Sequence, residues 1–319
     1  MNEIEILSHT VGSARGSTPS PAVTAVPEPV EYTPNPPPRD PTLWVVLVNM
    51  YKEKLHLILR GFVRDRIVFN PSAFYPFKGL YYVLTRSVYW KYMLLTAGCF
   101  SLIFAIVAGV LYIGLLPLLL LGVLVPAGPI GLVIVHIQWL LLSNILANIV
   151  CKNIVAVNLK EHIFRLTVQD NDIDGSRVRQ ARLAPQIKAM ESTKVEPTMQ
   201  MFVRAADLTR SFLWKLALGL IALVPIAGPL VANQLSAVNR SFEYSKFYLF
   251  NIRNLGLEEA RQYKYLHYTS YIYFGITAGW LEFLPFVSIL TMTSNVVGAA
   301  LWSVEYLAVQ DGLLSQGEQ

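Results

Sequence analysis

The chain has 319 residues, of which 54% are hydrophobic and only 15% charged, with a mean hydropathy of +0.44 and a net charge of +5. Soluble domains carry about a quarter charged residues, so this composition excludes a water-soluble globule. It also argues against a nucleic-acid-binding domain, because nothing soluble is left to present a basic patch.

Residues 1–42 are rich in Pro, Ser and Thr and end in Pro34-Asn35-Pro36-Pro37-Pro38-Arg39-Asp40-Pro41. Such a segment buries too little apolar surface to offset its ordering entropy, so it is expected to be a disordered tail. Met1 to Leu7 is acidic and lacks an apolar core, so insertion is expected to rely on internal helices. Residues 43–91 read as an interfacial helical segment. Within 43–66, Trp44, Leu47, Val48, Tyr51, Leu55, Ile58 and Phe62 recur at three- and four-residue spacing, which predicts an amphipathic helix. Residues 39–91 hold nine basic and three acidic side chains, and the aromatic residues Tyr75, Phe77, Tyr81, Tyr82, Tyr89, Trp90 and Tyr92 cluster around the end of the same segment. Basic and aromatic residues beside an apolar stretch suit a membrane–water interface.

Residues 92–151 contain no Asp, Glu, Lys or Arg, a window of 60 residues. A spanning helix needs roughly 20 residues, so this window predicts two transmembrane helices divided at Val125-Pro126-Ala127-Gly128-Pro129. The first is long enough to tilt or to bend at Pro117. Residues 152–210, with 10 basic and 7 acidic residues, predict a cytosolic helical segment. There Asp170-Asn171-Asp172-Ile173-Asp174-Gly175 matches the first half of an EF-hand loop, but the closing position is Ala181. A polar turn between helices is the simpler reading.

Residues 211–305 predict two membrane helical hairpins, followed by a C-terminal tail at 306–319. The first is interrupted at Val224-Pro225-Ile226-Ala227-Gly228-Pro229, which echoes the break at 125–129, and the second at Leu284-Pro285. The arms before these prolines look short of a full span, so both hairpins are expected to re-enter. All three basic segments, 39–91, 152–210 and 240–264, then share one face, as cytosolic segments should. The expected fold is therefore an all-α integral membrane protein with two long transmembrane helices, two Pro/Gly-broken re-entrant hairpins and an amphipathic N-terminal helix. Asn239-Arg240-Ser241 is a formal glycosylation sequon that this topology leaves in the cytosol.

Catalytic patterns are missing. The five histidines form no HExxH or similar spacing, and there is no GxSxG elbow or phosphate-binding glycine loop. Cys99 and Cys151 read as small apolar residues at the two ends of the charge-free window. No catalytic residue, metal site or cofactor is expected. Polar residues inside apolar helices are the informative ones, because they are costly there and face protein or water. Asn144 and Asn148 are i,i+4 neighbours; Asn233, Ser236, Arg240 and Glu243 form one stripe; Glu282 and Asn295 supply a third group, near Thr291 and Thr293. The candidate intramembrane cluster is thus Asn144, Asn148, Asn233, Arg240, Glu243, Glu282 and Asn295, read either as interhelical glue or as a polar path.

Leu223-Val224-Pro225-Ile226-Ala227-Gly228-Pro229, Ser241 to Tyr248, Phe274-Gly275, Leu284-Pro285 and Gly298 to Trp302 follow one another in a recognisable order. Phe77-Lys78-Gly79-Leu80-Tyr81-Tyr82 precedes them. Across roughly residues 70–310 the chain resembles the superfamily of bacterial CysZ sulfate permeases and eukaryotic etoposide-induced endoplasmic-reticulum membrane proteins. Within it, the likeness points to fungal members linked to lipid droplets and outer spore wall formation. The resemblance implies full spans combined with hemi-penetrating hairpins. It departs at Phe286-Val287-Ser288, where CysZ-like proteins often carry an Asn after the proline, and no sulfate-binding motif can be placed. The expected function is a non-enzymatic multi-pass protein of endoplasmic-reticulum or lipid-droplet membranes, serving lipid-droplet or spore-wall assembly. The alternative is a CysZ-like permease for a small anion or solute. The expected partner is the lipid bilayer, with self-association left open and no nucleic acid.

Overall fold

The computed structural model describes residues 43–64, 70–154, 156–172, 175–183 and 197–310. The chain divides into units 1–41 and 42–319; the first, where the Pro-rich tail is expected, lies outside the described residues, as does 311–319. Among the described residues every regular element is helical.

Helix α1 (Leu43–Arg64) leaves Trp44, Val48, Tyr51 and Leu55 of its apolar stripe exposed. Its C-terminal end is held by protein. Gly61 lies so close to the Tyr265 and Leu266 carbonyls that a Cβ would sit 2.8 Å from each, and Phe62 packs edge-on against Tyr268 at 5.5 Å. Asn70 caps the next turn by accepting the Ser72 N–H at 3.0 Å, and α2 (Tyr75–Thr85) follows with Pro76 in its first turn, where no N–H is needed.

The charge-free window forms α3 (Trp90–Gly114), α4 (Leu116–Ala127) and α5 (Pro129–Ile154). The predicted bend is a break at Leu115, just before Pro117, and Gly128 turns the chain at φ +59. Then come α6 (Ala156–Asn171), α7 (Ser176–Leu183) and α8 (Pro197–Ala222). Helix α8 runs across residue 210, so the arm before the second break is longer than expected. After the 222–227 break, where Ile226 takes φ 61, come α9 (Ala227–Leu235), α10 (Ala237–Phe247), α11 (Leu257–Leu266), α12 (Tyr268–Phe283) and α13 (Pro285–Trp302). A π turn at Ser303–Leu307 prolongs α13.

Among the described residues three stretches are long and apolar enough to cross a membrane: Ser87–Gly114, Pro129–Ile154 and Val287–Gln310. Two such helices were expected; the third arises because Pro285 only opens α13 and no breaker follows it. The first two stretches expose Leu94, Leu102, Ile106, Val110, Ile130, Val133 and Ile149 to the outside, an apolar surface that lipid would cover. The third is the protein's axis. Val297, Ala299, Ala300, Leu301 and Trp302 are fully buried, against α2, α12, α6 and α3. Gly79 of α2 and Gly298 of α13 meet backbone to backbone; a Cβ on Gly79 would lie 2.2 Å from the Ser294 carbonyl.

Candidate functional site

Four helices converge on Glu282, in the last turn of α12. Its Oε2 accepts Lys152 Nζ at 2.5 Å and lies 3.1 Å from Arg240 Nε; its Oε1 accepts the Tyr244 hydroxyl at 2.5 Å and Asn295 Nδ2 at 2.9 Å. The carboxylate is 4% exposed. A buried carboxylate is costly unless its lone pairs are occupied, and here both oxygens are.

The amides around it satisfy backbone groups that the proline break frees. Helix α12 ends at Phe283, so the carbonyls of its last turn, those of Glu282 and Phe283 among them, have no helical donors. Asn144 Nδ2 donates to both, at 2.9 and 3.0 Å, while Ser288 Oγ donates to Asn144 Oδ1 at 2.7 Å. Asn148 Nδ2 adds a longer contact to the Glu282 carbonyl at 3.4 Å. The second break is treated in the same way. Gln138, also on α5, donates to the Ala222 carbonyl at 2.7 Å and accepts the Ile226 N–H at 2.8 Å, bridging the gap between α8 and α9.

Arg240 lies along α12. It donates to the Gly275 carbonyl at 3.0 Å, to the Asn233 carbonyl at 3.1 Å and to Asn233 Oδ1, and Asn233 in turn donates to the Gly279 carbonyl at 2.8 Å. Gly275 and Gly279 make room for this. A Cβ at Gly275 would lie 2.0 Å from the Ala237 carbonyl, and one at Gly279 would lie 2.2 Å from an Arg240 nitrogen.

Six of the seven candidate residues therefore meet: Asn144, Asn148, Asn233, Arg240, Glu282 and Asn295. Glu243 does not. It is exposed and pairs with Lys246 at 2.8 Å, because α10 turns Arg240 and Tyr244, one turn apart, toward α12 instead. Lys152, Tyr244 and Gln138 were missed. Asn144, Asn148 and Lys152 in fact repeat every four residues, and Gly275-Ile276-Thr277-Ala278-Gly279 is a small-xxx-small pattern that marks a close approach.

The acidic turn is occupied by the protein itself. Asp172 accepts the N–H groups of Arg177 and Val178, at 3.2 and 2.8 Å, and so caps α7. Asp170 accepts the Tyr82 hydroxyl at 2.8 Å and pairs with Arg86. Residues 173–174 lie outside the described residues, and among the described ones no three His, Cys, Asp or Glu side chains group to hold a metal. The Cys151 thiol lies against Met292 sulfur, at 3.6 Å. The arrangement around Glu282 can bind helices together and hold charge.

Comparison with known proteins supplies the relationship. The chain is 37% identical over 276 residues to the outer spore wall protein RRT8 of Saccharomyces cerevisiae, covering 80% of this chain and 78% of that one. It belongs to the RRT8 family of outer spore wall proteins. The outer spore wall protein LDS1 of the same yeast is 24% identical over 262 residues, or 81% of this chain and 77% of its own. A third relative, the outer spore wall protein LDS2, is 30% identical over 90 residues, or 28% of this chain and 25% of that protein. No family profile and no solved structure matches. The match to RRT8 extends over most of both chains.

Proposed function

We propose that this chain is a non-enzymatic, multi-pass membrane protein that supports outer spore wall assembly, inserted from the cytosolic face of endoplasmic-reticulum or lipid-droplet membranes. One observation carries the membrane part of this reading. The tips of the two later broken regions, Val224 to Pro229 and Leu284 to Phe286, contain no charged residue, while the segments that lead into them, 152–210 and 240–264, are net basic. A loop that emerges on the far side of a bilayer is normally polar. Tips of this composition tolerate hydrocarbon, provided their backbone is satisfied, and Gln138 and Asn144 satisfy it at the two breaks. Such hairpins can enter a bilayer, or the monolayer around a lipid droplet, from one side only. The uncovered stripe Trp44, Val48, Tyr51 and Leu55 on α1 suits the same surface. The spore-wall part rests on the family relationship.

The wider likeness to CysZ permeases offers transport of a small anion as the competing role. It has less support, because both Glu282 oxygens are already occupied by protein donors.

The test is to express a fluorescent fusion in sporulating yeast lacking RRT8, LDS1 and LDS2. Flotation with lipid droplets or cofractionation with the endoplasmic reticulum, together with restored outer-wall deposition by electron microscopy, is the expected result. A fusion confined to the plasma membrane would end the endoplasmic-reticulum and lipid-droplet assignment, and a correctly placed fusion that restores no wall would end the spore-wall role.

A further inference from the structure

A cleft of about 350 Å³ opens beside the Glu282 cluster, between α5, α6, α10 and α13. Lys152 and Tyr244, both bonded to Glu282, line it, as do Phe164 and Phe247, whose rings pack at 5.1 Å, with Lys160 and Lys246 beside them. The charges do not balance. Glu282 is one carboxylate facing two cations, Lys152 and Arg240. Glu243 is matched by Lys246 and Glu161 by Arg165, at 2.8 and 2.7 Å. Lys160 has no carboxylate within ion-pair distance among the described residues; its ammonium donates to the Lys152 carbonyl at 3.1 Å. Two positive charges, one shared by Lys152 and Arg240 and one on Lys160, are therefore left over at a half-buried site.

We propose that this cleft binds one phosphate group between Lys152 and Lys160, carried by a lipid headgroup or free in solution. A phosphate ester brings about one and a half to two negative charges and oxygens that accept ammonium donors, which matches the excess. Lys152 closes the Pro129–Ile154 stretch, so the cleft stands where apolar helix gives way to polar chain, the level of lipid phosphates. The phenylalanine walls provide apolar contact for the glycerol or chain end of a lipid, in a space too large for phosphate alone. Burial and the neighbouring Lys152 charge hold the Lys160 ammonium down to about 8, with Glu243 and Glu282 pulling the other way and Lys246 adding to the depression. An anion seated there would relieve that depression. The site is independent of the spore-wall role proposed above.

The experiment uses the full chain purified in an uncharged detergent and titrated calorimetrically with inorganic phosphate, with dihexanoyl phosphatidic acid and with dihexanoyl glycerol. One-to-one saturable binding of phosphatidic acid, of inorganic phosphate or of both is expected, with none of the glycerol lipid. Binding of phosphatidic acid alone would identify a headgroup as the source, whereas equal binding of both would show that free phosphate suffices. Lys160→Gln, which keeps a donor for the Lys152 carbonyl, should weaken binding at least tenfold, and Lys160→Arg should retain most of it. A thermal melt of each unliganded variant checks folding, and Lys246→Gln provides a second, more exposed variant expected to weaken binding less. Absence of saturable binding by both phosphate ligands would overturn the proposal. So would affinity left unchanged in a folded Lys160→Gln protein.

Discussion

Glu282 ties α12 to three neighbouring helices through Lys152, Arg240, Tyr244 and Asn295. Substitution by Gln keeps its shape and removes its charge, which leaves Lys152 and Arg240 uncompensated. Breaking a buried pair in this way costs about 3–5 kcal/mol, so Glu282→Gln should melt well below wild type in detergent. Adding Lys152→Met removes one stranded cation and should recover much of the loss; additive losses in the double variant would show that the two side chains are not coupled. Lys160 and Lys264 make a pH prediction. Burial, then nearby cations, hold both ammonium groups down to about 8, against a usual 10.5. Between those values the unfolded chain holds protons that the folded protein has released, so stability contributed by these groups rises with pH. The difference in melting temperature between wild type and Lys160→Gln, followed from pH 7.5 to 10, should shift toward wild type; a flat difference would refute it. At Asp172 the expectation is smaller. Loss of the α7 cap in Asp172→Ala should cost about 1 kcal/mol and the melt should be the same with or without calcium.

Helix α5 acts on its neighbours mainly through amides. A helix broken by proline leaves donors and acceptors that lipid cannot satisfy, and each orphaned group costs about 1–3 kcal/mol. Gln138→Leu, of similar size but without the amide, should therefore lower the melting temperature clearly, whereas Ile137→Leu on the exposed side of the same turn should not. Close approach of α10 to α12 gives a second contrast. Gly275→Ala must displace the Ala237 backbone and should abolish a cooperative melt or shift it far down, while Gly109→Ala, with open space around it, should be neutral. Equal melts for the two alanine variants would mean that α10 and α12 do not pack as described.

At the scale of the molecule, the number of segments that cross sets which side each terminus and loop occupies. One-sided insertion places tags at the N-terminus, near residue 185, near residue 255 and at the C-terminus in the cytosol. The stretch Val287–Gln310 is long enough to cross, and if it does so while α12 does not, the C-terminal tag moves to the opposite side. Protease protection of those four tags, with an engineered glycosylation site near residue 255, distinguishes the outcomes. Cytosolic reporting from all four is expected, and glycosylation at 255 would overturn it.

Much of this architecture was legible without coordinates, because hydrocarbon imposes simple demands on a chain. A charge-free window of 60 residues, Pro/Gly breaks and flanking Lys and Arg follow directly from the cost of charge and of unpaired backbone in lipid. The same cost marked Asn144, Asn233, Arg240 and Glu282 as residues that must find partners. Which partners they found was decided only by the tertiary structure. Spacing along α10 joined Arg240 to Glu243, yet the helix turns Arg240 toward a carboxylate 42 positions later and leaves Glu243 outside. Lys152 fell at the start of the segment expected in the cytosol, and is an ion-pair partner because α5 and α12 lie side by side. Gln138 carried no local pattern at all; its role exists only because the 222–227 break falls beside it. Composition and periodicity report what a residue costs in lipid, while long-range packing determines which group offsets that cost.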